Sequence, residues 1–311
     1  MLKFKSTMKP MTESKINKED VAIILVGYNR PNLMKQRILE ISRFNPAHLY
    51  IYIDGGAGQH MAEFDSVKNI ARELFDKQVL RIEHSGVNLG ISLNVTRSIS
   101  KVLKLHDYII FVEDDVKLSD NFFQNMLNGL NLQIHYNLTG VVSGYSSRFG
   151  AFKENKWFKQ GIPNFWGWAC SAKTWDGYRL DLTEVNLLQE LSKSYTWNRL
   201  LPWQRRYLLK NFNKIKQDKF ISWDPQFIFH LLVKNHINIA PIYSLTGNEG
   251  FGDKSATHTG YLKPTYIKNN DLNNILLDKF SRFSYLHDLS NLHIFKHELK
   301  MLLVRLVGRF S

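Results

Sequence analysis

Residues Asp107 to Asp115 read DYIIFVEDD, a nearly unbroken apolar run that ends in three acids. A short run without polar alternation suits a strand buried on both faces, and sheets of that kind are mostly parallel and covered by helices. The upstream sequence repeats the pattern. VAIILVG (Val21 to Gly27), HLYIYID (His48 to Asp54) and VLRIEH (Val79 to His84) read as further strands. Between them, Pro31 to Phe44, Met61 to Asp76 and Ile91 to Leu105 read as helices; in the first, Leu33, Met34, Ile38, Leu39 and Ile41 recur at helical spacing. Strands alternating with helices predict an α/β fold with an open, mostly parallel sheet flanked by helices.

Ligands of such sheets sit outside the carboxyl ends of the strands. The residues leaving those ends are Tyr28-Asn29-Arg30, Asp54-Gly55-Gly56, Ser85 to Gly90 and Glu113-Asp114-Asp115. They are polar, glycine-containing and collectively acidic with one arginine, which points to a nucleotide site. Three adjacent carboxylates repel one another, and a bound divalent cation removes that cost; carboxylate oxygens suit Mg²⁺ or Mn²⁺. The competing reading is a solvated strand end with Asp as a turn former. Its place after a fully apolar strand favours the ion site.

The chain has 311 residues, of which 44% are hydrophobic and 13% aromatic, enough for a sizeable core and against a disordered or fibrous chain. Cys170 is the single cysteine, so an internal disulfide or a thiolate metal cluster is excluded. The first 20 residues hold no apolar leader segment, and no stretch reaches the ~18 apolar residues of a spanning helix, so the expected location is cytoplasmic. The net charge of +13 predicts an anionic partner, whether a phosphorylated substrate, an acidic lipid surface or nucleic acid.

The second half is less regular. Ser119 to Leu130 reads as a capped helix, Val141 to Ser146 as a strand, Leu187 to Phe212 as one basic helix and Asp224 to Lys234 as another. Phe165-Trp166-Gly167-Trp168-Ala169-Cys170 offers an aromatic floor for a sugar face, with Trp166 as the ligand candidate and Trp168 and Cys170 on the opposite face. Thr246 to Asp253 holds three glycines and reads as a flexible loop, with His258 shortly after it. Asn291 to Phe310 is a basic amphipathic segment suited to an anionic membrane interface, at the inner face of the plasma membrane, or to docking on the core. Arg199, Arg205, Arg206 and Lys210, interleaved with Trp197, Trp203 and Tyr207, add a second interfacial cluster.

FVEDDVKLSDNFF (Phe111 to Phe123) resembles the acidic metal motif of glycosyltransferase family 13, the N-acetylglucosaminyltransferase I type, and the loop TGNEGFGDKSATHTG (Thr246 to Gly260) resembles that of bacterial relatives with the same fold. The likeness extends loosely over Val21 to Tyr261. It implies a GT-A fold and a metal-dependent, inverting transfer of a sugar from a nucleoside diphosphate, UDP above all, to a glycan or glycolipid acceptor in surface polysaccharide or lipopolysaccharide synthesis. It further implies that Arg30 and Asp54 hold the nucleotide with Glu113, that Asp114 touches the ribose, and that Asp115 binds the metal with His258. Asn88 and Arg97 match the nucleotide-side loop, and Asp224, after Trp223, matches the base. The family often has a second acid after the base, where Pro225 stands here.

On this reading residues 1–20 are a flexible N-terminus, 21–118 the nucleotide-sugar half, 119–262 the acceptor half of the same domain, and 263–311 a helical extension. Two rivals remain open. A Mg²⁺-dependent nucleotidyltransferase shares the acidic strand end but does not need Trp223-Asp224. A non-catalytic basic module for membrane or RNA draws on the charge alone, and no RNA-binding motif or phosphate-cradling loop supports it.

Overall fold

The computed structural model describes residues 15–55, 61–146, 157–218 and 222–250. Its centre is an eight-stranded sheet of order β3-β2-β1-β4-β8-β6-β9-β7, formed by β1 (Val21–Gly27), β2 (His48–Ile53), β3 (Leu80–His84), β4 (Tyr108–Glu113), β6 (Val142–Ser143), β7 (Trp157–Gln160), β8 (Trp168–Ser171) and β9 (Asn238–Pro241). The first four strands in that order are parallel, β8 and β7 run against their neighbours, and β6 and β9 are parallel to each other. The two halves of the sequence thus build one sheet, as the alternation of strands and helices predicts for the first half alone.

Every residue of β1 is buried, and its side chains divide by parity. Val21, Ile23 and Leu25 pack with Met34, Ile38 and Ile41 of α1 (Pro31–Phe44) and Phe64, Val67 and Ala71 of α2 (Met61–Leu74). The same layer holds Phe122 and Met126 of α4 (Phe122–His135). Ala22, Ile24 and Val26 face α3 (Gly90–Val102) through Val95, Ile99 and Val102. Each fully buried large aliphatic side chain contributes roughly 1.5–3 kcal/mol, which is why these strands tolerate no polar alternation.

The stretch expected to form one basic helix is instead three: α6 (Leu187–Ser192), α7 (Tyr195–Arg199) and α8 (Pro202–Asp218). Ser194 stops the first and caps the second, its hydroxyl accepting the Trp197 N–H at 3.1 Å. Leu200 is extended (ψ 143°) at the end of α7, and Leu201 precedes Pro202, which disfavours helical backbone at the residue before it. The three helices pack on α9 (Asp224–Val233) around a satellite core that includes Leu191, Trp197, Leu208, Phe212, Phe229 and Leu232.

Candidate active site

Register sets the strand ends level. Gly27 pairs with Ile53, Ile53 with His84, and Val26 with Glu113, so the segments that follow leave the sheet along one edge. The antiparallel pairing of Phe111 with Trp168, and of Ser143 with Trp168, brings the start of β8 and the end of β6 to the same edge. Tyr28, Arg30, Asp54, Asn88, Glu113 to Asp115, Tyr145 and Trp166 therefore share it.

At its centre Arg30 spans two acids, with Nη2 2.6 Å from Asp114 Oδ1 and Nη1 3.0 Å from Asp115 Oδ2. Burial opposes the Arg30 charge, but the combined field of Asp114 and Asp115 outweighs it and holds the guanidinium pKa above its ordinary value. Burial pushes the Asp114 carboxyl up to about 7, with Asp115 adding to the rise and Arg30 working against it. Glu113 is driven well above the carboxylate range by burial, then by Asp115, Asp114 and Asp224. Asp224, at the start of α9, adds to the field at Glu113. Ser222 Oγ hydrogen-bonds Asp224 Oδ1, and Pro225 occupies the first turn of α9, where no N–H is required.

A short antiparallel pair closes the other side. β10 (Thr246–Asn248) pairs with β5 (Val116–Leu118), and the Glu249 N–H donates to the Asp115 carbonyl at 2.7 Å. This corrects part of the loop expectation, because Thr246 to Asn248 form a strand. The backbone pairing is reinforced by an ion pair of Glu249 with Arg37 at 3.2 Å. Arg37 is a fully buried cation on α1 that also donates to the Val116 carbonyl at 2.6 Å. Its place on the buried face of α1 gives no sequence signal beyond a charge at a core position. A Cβ on Gly250 would lie 2.5 Å from Asp115 Oδ2 and 3.0 Å from Arg30 Nη1, so only glycine fits against the pair.

Asp54 is buried, and its carboxylate accepts the N–H groups of Gly55, Leu89 and Gly90 at 2.8–2.9 Å, tying the end of β2 to the start of α3. That loop carries Asn88, whose side-chain amide donates to the Tyr28 hydroxyl at 3.0 Å. Tyr28, 37% exposed, is a site residue that sequence patterning names only as part of a strand-end triplet. Arg97 is not brought into the group: it is exposed on α3 and pairs with Glu83 at 2.5 Å. His258, Gly56 and the segment from Asn291 to Phe310 lie outside the described residues.

Trp166 meets Tyr145 edge to face at 4.6 Å, and its carbonyl accepts the Thr246 hydroxyl at 2.7 Å. Trp168 and Cys170 are fully buried with Phe111, Trp223 and Phe227. Simple alternation would keep positions 166, 168 and 170 together. Gly167, at φ +66°, turns the chain so that Trp166 joins the opposite layer.

Among the described residues no group of three or more His, Cys, Asp or Glu side chains is arranged to enclose a metal ion. Asp115 Oδ1 is nonetheless buried without a hydrogen-bond partner. A hard oxygen left open beside two further carboxyls fits Mg²⁺ or Mn²⁺, ions commonly held by one or two carboxylates plus substrate phosphates and water.

No family model and no curated protein matches the sequence. Among solved structures, a mannosyltransferase from Pyrobaculum calidifontis in complex with GDP-Man and Mn²⁺ aligns at TM-score 0.36 and 12% identity over 57% of this chain and 48% of its own. The glycosyltransferase GlyE of Streptococcus pneumoniae aligns at 0.33 and 11%, over 70% and 45%. The 4-diphosphocytidyl-2C-methyl-D-erythritol synthase of Anaerococcus prevotii aligns at 0.32 and 10%, over 63% and 85%. The chain spans about half the length of the first two. Similarity at this level does not bear on the reaction, which rests on the site itself.

Proposed function

We propose that the chain is a metal-dependent, inverting glycosyltransferase that moves a sugar from a nucleoside diphosphate, UDP in the first instance, to a hydroxyl of a surface glycan or glycolipid. The observation that carries this reading is the strand end itself: Arg30 bridges Asp114 and Asp115 while Asp115 Oδ1 stays buried and unpaired. The resemblance of Phe111 to Phe123 to the acidic motif of family 13 supports the same assignment.

Asp115 would hold the divalent ion, which when bound would supply a counter-charge for the departing diphosphate. Arg30 contributes a permanent cation at the same strand end. Tyr28, positioned by Asn88, offers a ring to the nucleobase, and the loop behind it is held by Asp54. Trp166 and Tyr145 form an aromatic wall for the sugar. Asp224 takes the acceptor hydroxyl's proton as that oxygen bonds to the anomeric carbon and the bond to the diphosphate breaks, inverting the centre. The Ser222 contact orients its carboxylate.

Calorimetry of UDP with and without Mn²⁺ tests the site on the full chain and on Asp115→Ala. Metal-stimulated UDP binding lost in the variant, followed by release of UDP from a UDP-sugar, is the expected result. Consumption of a nucleoside triphosphate with release of pyrophosphate identifies a nucleotidyltransferase instead.

A further inference from the structure

Helix α8 has two unlike faces. Gln204, Leu208 and Phe212 are buried, the last two in the satellite core, whereas Arg206, Lys210 and Lys214 are exposed at positions i, i+4 and i+8. The helix carries no acid before Asp218, and none of these three cations has an ion-pair partner among the described residues. Apolar side chains on α6, on α7 and at the residue before α8 are exposed as well. Leu188 is 60% exposed, Tyr195 54% and Leu201 37%. Leu188 shares a groove with Leu209, Asn213 and Lys216 of α8, Leu201 immediately precedes the helix, and the Arg199 guanidinium lies 3.5 Å above the Tyr195 ring.

We propose that this face, formed by α6, α7 and α8, docks on an anionic lipid surface. Cations at a membrane surface gain about 1 kcal/mol each from acidic headgroups, and an aromatic ring carrying a cation suits the interfacial zone. A polyphosphate such as RNA also satisfies the cations, but its backbone offers nothing to Leu188 and Leu201, whereas the acyl boundary does. The charge pattern and the apolar rim together select lipid.

The docking does not depend on the transfer reaction. If both hold, they are linked through the chain. The C-terminal end of α8 lies four residues before Ser222, a reach of at most about 14 Å, and Asp224 follows. A lipid-borne acceptor is thereby delivered near the proposed base.

The test is flotation of the full-length protein with vesicles of phosphatidylcholine alone and of phosphatidylcholine with 30% phosphatidylglycerol. Binding to the anionic vesicles only is expected, weakening with salt. The variant Arg206→Gln/Lys210→Gln/Lys214→Gln should lose on the order of 10²-fold in partitioning, from roughly fivefold per cation. A nitroxide on Leu201→Cys should become buried in the bilayer; Cys170, fully buried, stays unlabelled. The proposal is overturned if wild-type protein ignores anionic vesicles or binds neutral ones equally. A triple variant that partitions like wild type, a label that stays in water, or preferential capture of an RNA duplex overturns it too. The label and the salt titration remain decisive should the triple variant fold poorly.

Discussion

Arg30 Nη1 lies 3.0 Å from Asp115 Oδ2, while the other oxygen of the same carboxylate is buried without a partner. One acid therefore has its charge half satisfied by the protein and half held open. Removing the arginine leaves Asp114 and Asp115 facing each other without a counter-ion. Arg30→Ala should cost about 2–4 kcal/mol, and Mn²⁺ should raise the melting temperature of the variant more than that of the wild type. Thermal unfolding with and without the ion reads both effects. Equal Mn²⁺ shifts in the two proteins would show that the acids do not share a cation site.

Gly250 tests the same pair from the opposite side. Because an added Cβ meets Asp115 Oδ2 at 2.5 Å, Gly250→Ala should displace the carboxylate or the loop. The expected result is a loss of about 1–3 kcal/mol, as for other overpacked sites, and at least a tenfold weaker metal-dependent UDP affinity. Gly86→Ala is the control for stability, since nothing lies within 4 Å of its added Cβ, and it should leave the unfolding free energy unchanged.

Asp224→Asn keeps the shape of the side chain and removes its capacity to accept a proton. Donor affinity should persist, and the transfer rate should fall by roughly 10²- to 10⁴-fold. Equal losses in binding and rate would assign Asp224 a structural role at the start of α9.

His236 sets a pH dependence of stability away from the site. Burial, followed by the neighbouring His230 and Lys234, depresses its pKa to about 4, and Nδ1 lies 2.8 Å from Thr139 Oγ1. A group whose folded-state pKa lies below its unfolded value takes up its proton preferentially in the unfolded chain. Its contribution is complete above the ordinary imidazole value of about 6.5 and is lost as the pH falls towards about 4. His236→Gln should flatten the acid side of the urea-midpoint profile between those values. An unaltered profile would place the acid sensitivity elsewhere.

The sequence alone determined the layer order of the first half. Runs such as Val21 to Gly27 and Tyr108 to Val112 cannot be left in water, and the helical spacing of Met34, Ile38 and Ile41 covers them. It also placed Arg30, Asp54 and Glu113 to Asp115 at strand ends, because polar residues directly after an apolar run mark where a strand emerges. Tertiary structure decided what these groups do to one another. The bridge from Arg30 to Asp114 and Asp115, 84 and 85 residues along the sequence, depends on β1 pairing with β4. The glycine contact at Asp115 depends on Thr246 to Asn248 pairing with β5. Arg37 could not be read as part of the site, since helical periodicity marks its position as core, and its partners Glu249, Glu40 and the Val116 carbonyl explain its charge there. Local chemistry sets which segments are strands and which side chains leave them. Distances between carboxylates, and the burial that raises Asp114 to about 7, exist only once remote segments have packed.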